Sequence, residues 1–232
     1  MMNEKKDVQC KPAGPLNLYT HFISVNPPTS FNPESVFPSI DATAFVGPFA
    51  VIIGNVTIKE NVFIAPHVTI RADEGSPFFI GPHTNLQDGV ILHGLIGGRI
   101  TVNGKKYSIY IGKNVSCAHG SLIHGPCKIG DDVFIGFNAI VFNTVIGEGS
   151  YISTGAVVTD GVRIAPNRFV PTGAIIDTQS KADALRAVPS DREQFAKEVQ
   201  HINREFPSTH ALMFGSIRCS CGLACEPGGL VN

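Results

Sequence analysis

Tryptophan is absent from the 232 residues of this sequence, and long apolar runs are missing as well. No stretch approaches the roughly 18 consecutive apolar residues that a membrane-spanning helix needs, and the N-terminal residues lack the apolar core of a secretory signal. Neither sign of charge is in excess, since the formal net charge is −1, which removes the reason to expect nucleic acid or an anionic membrane as partner. We therefore expect a cytoplasmic protein with no nucleic-acid partner and no membrane partner.

Glycine and β-branched residues are abundant, with 24 glycines beside many isoleucines and valines, and this composition favours numerous short strands joined by tight turns. Aliphatic residues recur at every sixth position, and the fourth position after each is usually small or valine. The recurring positions are Ile40, Val46, Ile52, Ile58, Ile64 and Ile70, then Ile80, Leu86 and Leu92, then Ile111, Cys117, Ile123, Ile129, Ile135 and Val141, and finally Ile146, Ile152, Val158, Ile164, Val170 and Ile176.

A spacing of six differs from the three and four of an amphipathic helix, and it is the signature of a hexapeptide β-helix. Each hexad is expected to form one short strand and one corner, so that three hexads close a triangular coil with the aliphatic side chains inside. Neighbouring coils then stack like parallel strands, about 4.8 Å apart. The repeat therefore predicts an all-β protein, a parallel β-helix interrupted by loops at 71–79 and 97–110.

The two ends of the sequence do not follow the six-residue repeat. We predict an extended N-terminal arm at 1–38, the β-helix metal-binding domain at 39–178, a C-terminal α-helix at 179–206 and a cysteine-containing tail at 207–232. Helical spacing of apolar residues supports the third segment, with Pro189 before a second helix start at Ser190 or Asp191.

The hexad count places several polar residues on the faces of the prism. Hexads that begin at equivalent positions of successive coils put Arg71, His93 and His124 in one outward column. Asp88 and His119 share a position on the preceding face. His93 and His124 are thus predicted neighbours that share a metal, and His119 lies around the corner. A site completed across a subunit boundary of a cyclic trimer would join all three histidines.

Three neutral imidazoles leave a bound metal with its charge and an open position. A water molecule there has its pKa lowered from 15.7 to about 7, so hydroxide can attack a small electrophile such as CO2. The donor set suits Zn²⁺, although Fe²⁺ and Co²⁺ accept the same ligands. The remaining histidines, at 21, 67, 83, 201 and 210, are interpreted as surface or interface residues.

Three sequence blocks, at 71–75 (R-x-D-E-G), 85–93 (N-x-Q-D-G with the following histidine) and 118–125 (H-x4-H-G), resemble the γ-class carbonic anhydrase family. The similarity is greatest to the branch that contains the archaeal enzyme and the amino-terminal domain of the carboxysome assembly protein, and it covers roughly residues 38–206. The resemblance implies a left-handed β-helix, a homotrimer and the reversible hydration of CO2 to bicarbonate.

The resemblance also implies roles for individual residues. His93 and His124 would bind the metal from one subunit, together with His119 of the partner subunit. Gln87 would hydrogen-bond the metal-bound water, and Asn85 would help to place CO2 or bicarbonate.

Charged residues complete the implied site. Arg71 and Asp73 would pair across the trimer interface, with Arg71 near the product anion and Asp88 in the same network. The alternative is a purely structural set of ion pairs. One departure from the family pattern concerns the loop after the first histidine, where Ile96 stands at the place of a proton-shuttling glutamate, and Glu74 is the candidate substitute.

Two other functions stay open at this stage. A hexapeptide acyltransferase uses a similar prism, but such enzymes typically rely on a single catalytic histidine. A non-catalytic trimeric scaffold or bicarbonate-binding protein would keep the histidines without fast turnover. The tail cysteines Cys219, Cys221 and Cys225 raise the separate hypothesis of a redox gate, with free thiols as the alternative.

Overall fold

The computed structural model of the chain describes residues 21–214, with side chains up to residue 211. Cys10 and the tail cysteines Cys219, Cys221 and Cys225 lie outside the described residues, so the redox hypothesis stays a prediction. Within residues 21–214, no helix combines the length and the apolar character needed to cross a membrane.

The described chain contains short strands followed by two helices. The strands are β1 Phe22–Ser24, β2 Ser39–Ile40, β3 Phe45–Val46, β4 Val51–Gly54, β5 Val56–Ile58, β6 Phe63–Ile64, β7 Thr69–Ala72, β8 Phe78–Ile80, β9 Asn85–Leu86, β10 Ile91–Gly94, β11 Ile100–Val102, β12 Lys105–Tyr107, β13 Ile109–Ile111, β14 Ser116–Cys117, β15 Leu122–Ile129, β16 Phe134–Ile135, β17 Ile140–Ile146, β18 Tyr151–Ile152, β19 Val157–Val158, β20 Arg163–Ile164, β21 Phe169–Val170 and β22 Ile175–Ile176. The helices are α1 Gln179–Asp183 and α2 Ser190–Phe214.

Parallel pairing stacks these strands into the faces of a solenoid. The first face is a seven-stranded sheet in the order β21-β18-β16-β14-β9-β6-β3. The other two faces form one 13-stranded sheet, because β15 and β17 are long enough to pair on both. The second face carries β1, β4, β7, β10 and the start of β15, and the third face carries β2, β5, β8 and β13. Strands β11 and β12 form an antiparallel hairpin within the predicted 97–110 loop.

The hexad residues fill the interior as the repeat predicts. From Ile52 to Ile176 the recurring aliphatic residues are buried, most of them completely, whereas Ile40 and Val46 at the open end are only partly covered. Small residues at the corners, such as Ala50 and Ala139, are buried too. The predicted all-β parallel β-helix with a C-terminal helix is thereby confirmed, and the left hand of its winding stays a prediction.

The predicted N-terminal arm contributes a strand to the solenoid. β1 pairs in parallel with β4, which extends the second face by one strand. The segment after it is held by the buried side chain of Asn26, which donates to the carbonyl of Glu34 (2.9 Å) and accepts from the amide of Val36 (2.9 Å). These bonds satisfy a polar group that would otherwise be costly to bury, and they fold the arm on itself. Asn32 Nδ2 donates to the carbonyl of Asp73 (3.2 Å) and so attaches this segment to the prism.

The C-terminal helix begins at Gln179 and starts again at Ser190, as predicted, but it differs from the prediction at its C-terminal end. α1 stops at Asp183, and α2 continues past the predicted end at Phe206 to Phe214, with Pro207 inside it. A proline inside a helix removes one hydrogen bond and costs about 3 kcal/mol. Ring contacts on both sides of Pro207 offset this cost, because Phe206 lies 5.2 Å from Phe63, and His210 lies 5.0 Å from Phe63, between ring centroids.

Helix α2 lies along the first face and covers its outward side chains. Phe195 contacts Phe134 of β16 (5.6 Å between ring centroids), and His210 contacts Phe45 of β3 (5.2 Å). Between these points the face is polar at Asn85 and Ser116. The helix therefore runs antiparallel to the direction in which the coils are added.

Candidate metal centre

Two of the predicted histidines lie side by side on the second face. His93 in β10 is the register partner of His124 in β15, and on its other side it pairs with Arg71 in β7. Their rings contact each other at 5.1 Å between centroids, at an angle of 67°. The parallel register therefore brings together residues that are 31 positions apart in the chain.

The nitrogen atoms of this pair are spaced as metal ligands would be. His93 Nδ1 lies 3.1 Å from His124 Nε2. Two nitrogens bound at 2.0–2.1 Å to one tetrahedral ion are roughly 3.3 Å apart. His124 Nδ1 lies 3.2 Å from the carbonyl oxygen of Gly125, and a proton on that nitrogen leaves Nε2 as an electron-pair donor. The pair thus fits two coordination positions of one ion.

The second ring nitrogen of His93 faces carboxylates. His93 Nε2 is buried and has no hydrogen-bond partner in the described part of the chain. It lies 3.4 Å from Oδ1 of Asp73, which is also buried and without a hydrogen bond, and 3.8 Å from Oε2 of Glu74. A proton on Nε2 would face these carboxylates and leave Nδ1, the nitrogen beside His124, as an electron-pair donor.

Arg71 and Asp73 pair within one chain, whereas the family resemblance implies a pair across the interface. Asp73 Oδ2 accepts from Nε (2.9 Å) and lies 2.8 Å from Nη2 of Arg71. The reason is local, because Asp73 follows directly after the end of β7 and is only two residues from Arg71. About half of the Arg71 side chain remains exposed, so its guanidinium is still accessible to an anion.

Glu74 reaches the loop that carries no carboxylate of its own. Its Oε1 accepts a hydrogen bond from the amide of Ile96 (3.0 Å), while Oε2 faces His93. The Glu74 side chain is about one-third exposed, and it therefore connects the histidine to solvent beside the exposed side chain of Ile96.

His119 belongs to a second cluster, at the corner after the first face. Its Nδ1 lies 3.0 Å from Oδ2 of Asp88, and its ring stacks on Phe137 at 5.7 Å. A carboxylate on one ring nitrogen fixes the tautomer and leaves the other as an electron-pair donor. Asp88 and Phe137 thus hold the ring of His119, whose side chain is more than half exposed.

Asn85 and Gln87 form a buried amide pair beside this corner. Gln87 Nε2 donates to Asn85 Oδ1 (3.1 Å), and Asn85 Nδ2 donates to Ser116 Oγ (2.8 Å). The carbonyl oxygen of Gln87 is left as an acceptor. Ser116 was not predicted from the sequence, although its position before Cys117 matches that of Asn85 before Leu86 and could have indicated it.

Within one chain the two clusters stay separate. Among residues 21–214, no hydrogen bond or ion pair joins the cluster of His93 and His124 to that of His119, and no three His, Cys, Asp or Glu side chains converge on one metal position. One chain therefore offers a pair of imidazoles at one position and a single imidazole at another.

The two cysteines of the solenoid do not add ligands. Cys117 and Cys127 are buried free thiols, and burial raises the pKa of each thiol to about 12. Only a thiolate binds metal well. They serve as small core side chains.

Known proteins share this sequence pattern. The family described as bacterial transferase hexapeptide (six repeats) matches residues 37–72. The carboxysome assembly protein CcmM of Nostoc sp. is 47% identical over 180 residues, which are 77% of this chain and 32% of that protein. The carbonic anhydrase of Methanosarcina thermophila is 42% identical over 179 residues, which are 73% of this chain and 72% of that enzyme.

A solved structure shares the fold alone. A Bacillus cereus protein named as an acetyltransferase candidate superposes with a TM-score of 0.64 at 23% identity, over 82% of this chain and 96% of that protein. The chain spans about a third of the Nostoc protein and most of the archaeal enzyme.

Proposed function

This chain belongs to the γ-class carbonic anhydrase family, and on that premise we propose that it catalyses the reversible hydration of CO2 to bicarbonate and a proton. The observation that carries the proposal is the register of His93 and His124, whose facing nitrogens are 3.1 Å apart. A hexapeptide acyltransferase typically relies on a single catalytic histidine and would not require such a pair.

The complete metal site would form between subunits of a homotrimer. His93 and His124 would bind the ion together with His119 of the partner subunit. Support comes from an aliphatic stripe on the second face, next to the histidine column, in which Ile91, Ile140 and Ile175 are 43%, 38% and 56% exposed. The stripe consists of Phe22, Val51, Ile91, Leu122, Ile140, Val157 and Ile175, interrupted by Thr69.

Exposed aliphatic surface of this kind favours association, because its burial against another copy removes apolar area from water. A cyclic arrangement makes every interface equivalent. Each of the three interfaces would then bring one histidine pair together with one His119 of the partner subunit.

The ligands fit Zn²⁺, Fe²⁺ or Co²⁺, and such an ion would supply a Lewis acid that makes hydroxide available at neutral pH. The residues of this chain would then do the rest. The carbonyl oxygen of Gln87 would accept a hydrogen bond from the attacking oxygen and so orient its lone pair towards CO2. Arg71 would attract the bicarbonate anion through its exposed guanidinium, and Glu74 would carry the released proton towards solvent.

Stopped-flow CO2 hydration by the metal-loaded wild type, beside His119→Ala and His124→Ala, tests this proposal. We expect activity in the wild type and a loss of at least about a hundredfold in each variant, because three ligands are needed to hold the ion. His201→Ala, on the exposed side of α2, is the matched control and should keep full activity. Metal analysis of each purified protein, prepared without oxygen, identifies the ion.

A second candidate function is a scaffold or a bicarbonate-binding protein. The exposed Ile96 favours it, because the loop carries no carboxylate of its own and turnover would then be slow. The Nostoc relative is itself named as a carboxysome assembly protein. A trimer that binds metal and bicarbonate without hydrating CO2 would replace the enzymatic proposal with this one.

A further inference from the structure

Helix α2 contacts the amide pair of the candidate site through a single serine hydroxyl. Ser116 Oγ accepts from Asn85 Nδ2 (2.8 Å) and also from Gln200 Nε2 of the helix (2.9 Å). The same Gln200 nitrogen donates to the backbone carbonyl of Asn114. A continuous chain of hydrogen bonds therefore runs from Gln200 through Ser116 and Asn85 to Gln87.

The direction of these hydrogen bonds decides which side-chain atom Gln87 presents to the candidate site. A backbone carbonyl can only accept, so the contact with Asn114 assigns the NH2 end of Gln200. Ser116 thus accepts a hydrogen bond from the helix. On the other side, Gln87 donates to Asn85 and Asn85 donates to Ser116, so both NH2 groups point towards Ser116. A rotation of both amides by 180° would instead present the NH2 group of Gln87, which cannot accept a proton from an attacking water or hydroxide.

The side chains of this hydrogen-bonded series are buried, which strengthens the bonds between them. Asn85 and Gln87 are 2% and 7% exposed, and Ser116 is completely buried. Hydrogen bonds among groups this buried reinforce each other. Loss of the helix donor would remove one of the two bonds that hold the Ser116 side chain in place, and with it the fixed acceptor for Asn85 Nδ2.

We infer that Gln200 is a positioning residue for Gln87, acting through Ser116 and Asn85, and this inference rests on the proposed function. Gln200 itself touches no reacting atom. On the same helix, Phe195 and Phe206 contact aromatic side chains of the solenoid, and Gln200 bonds to Ser116 between them.

Gln200→Met tests the inference, since methionine keeps the length of the side chain and removes its donor. The matched control is Gln194→Met on the same helix, where Gln194 is exposed and bonds only to Glu198 among the described residues (2.8 Å). The kcat and KM for CO2 hydration are measured for both variants, each in the wild-type and in the Gln87→Ala background.

We expect Gln200→Met to lower kcat about three- to tenfold, the effect of one lost hydrogen bond, with little change in KM. The same substitution should have no further effect in the Gln87→Ala background, because both changes disable one group. Gln194→Met should match its parent. An equal loss in both backgrounds, or no loss in either, would overturn the inference.

A second measurement does not depend on activity. In the metal-free protein, proton–nitrogen NMR spectra follow the exchange of the side-chain NH2 protons of Asn85 and Gln87, assigned by their absence in Asn85→Ala and Gln87→Ala. Gln200→Met should speed this exchange at least about tenfold. Unchanged exchange contradicts the inference. Gln200-dependent exchange in a protein without CO2 hydration would instead refute the proposed function and leave the positioning of Gln87 intact.

Discussion

At the scale of single residues, Glu74 is the proposed acceptor of the proton that CO2 hydration would release. The loop after His93 offers only apolar side chains and glycines up to Gly98, and the amide of Ile96 holds one oxygen of Glu74 in place. The other oxygen faces the histidine. Under the proposed function, we therefore expect Glu74 and dissolved buffer to share the removal of the product proton.

Glu74→Gln should lower kcat about tenfold or more in dilute buffer, because a positioned proton acceptor is lost. A high concentration of imidazole should restore most of the rate, and the wild type should also depend on buffer concentration. Stopped-flow CO2 hydration at fixed pH measures both. Glu60→Gln, which changes a surface carboxylate next to Lys59, serves as control. Turnover that ignores buffer in both proteins would contradict this pathway.

The positions of the site residues could be predicted from the sequence where the six-residue repeat determines the strand register. Register follows from the hexad count, so the pairing of His93 with His124 could be predicted from spacing alone. Ser116 and Gln200 could not, because their partners depend on which helix face meets the solenoid. The intrachain pair of Arg71 and Asp73 is explained by their separation of two residues at the end of β7, and the implied pairing across an interface stays a prediction.

At the scale of elements, each coil depends on one large inward side chain per face. Ile123 lies directly before His124 and is completely buried. Its neighbours in the stack, Leu92 and Val141, hold the same position in adjacent coils. The aliphatic interior thus supports the strand that presents the histidine.

Ile123→Ala should destabilise the protein by about 2–5 kcal/mol, the usual cost of a cavity left by a large aliphatic side chain. Ile202→Ala changes an isoleucine of α2 that is 53% exposed, and it should shift stability by less than about 0.5 kcal/mol. Urea unfolding at one fixed protein concentration measures both. Equal destabilisation of the two variants would show that Ile123 is not a core residue.

Element boundaries at the chain ends were less predictable than the repeat. Pro207 indicated a helix end near Phe206, yet α2 continues to Phe214. Proline disfavours a helix interior, but tertiary contacts override this preference here, since the rings of Phe206 and His210 pack on Phe63. Strand β1 was missed for a related reason, because no hexad precedes Ile40 and the strand is defined only by its pairing with β4.

At the scale of the whole molecule, association and metal binding are expected to be coupled. Ile140→Arg introduces a charge into the aliphatic stripe and should yield monomers, because an unpaired charge is costly to bury at an interface. Such monomers should also lose bound metal, since His119 of the partner subunit would be absent. Sedimentation velocity and metal analysis follow the two effects.

Ile202→Arg is the control for that experiment, since it places the same charge on an exposed position of α2, outside the stripe. It should leave both assembly and metal content unchanged. Ile140→Arg that remains trimeric with full metal would contradict the proposed interface, and trimers without metal would contradict the shared site instead.

The alignment of α2 with the solenoid also limits how this fold can change length over evolution. One helical turn rises 5.4 Å, and one coil rises about 4.8 Å, so successive turns meet successive coils. Phe195 contacts Phe134, Gln200 contacts Ser116, Phe206 contacts Phe63 and His210 contacts Phe45 in that order. Solenoids ordinarily gain or lose repeats by duplication or deletion. Here a coil added beside β14 would put every later helix residue one turn out of step, so the number of coils and the length of the helix can only change together.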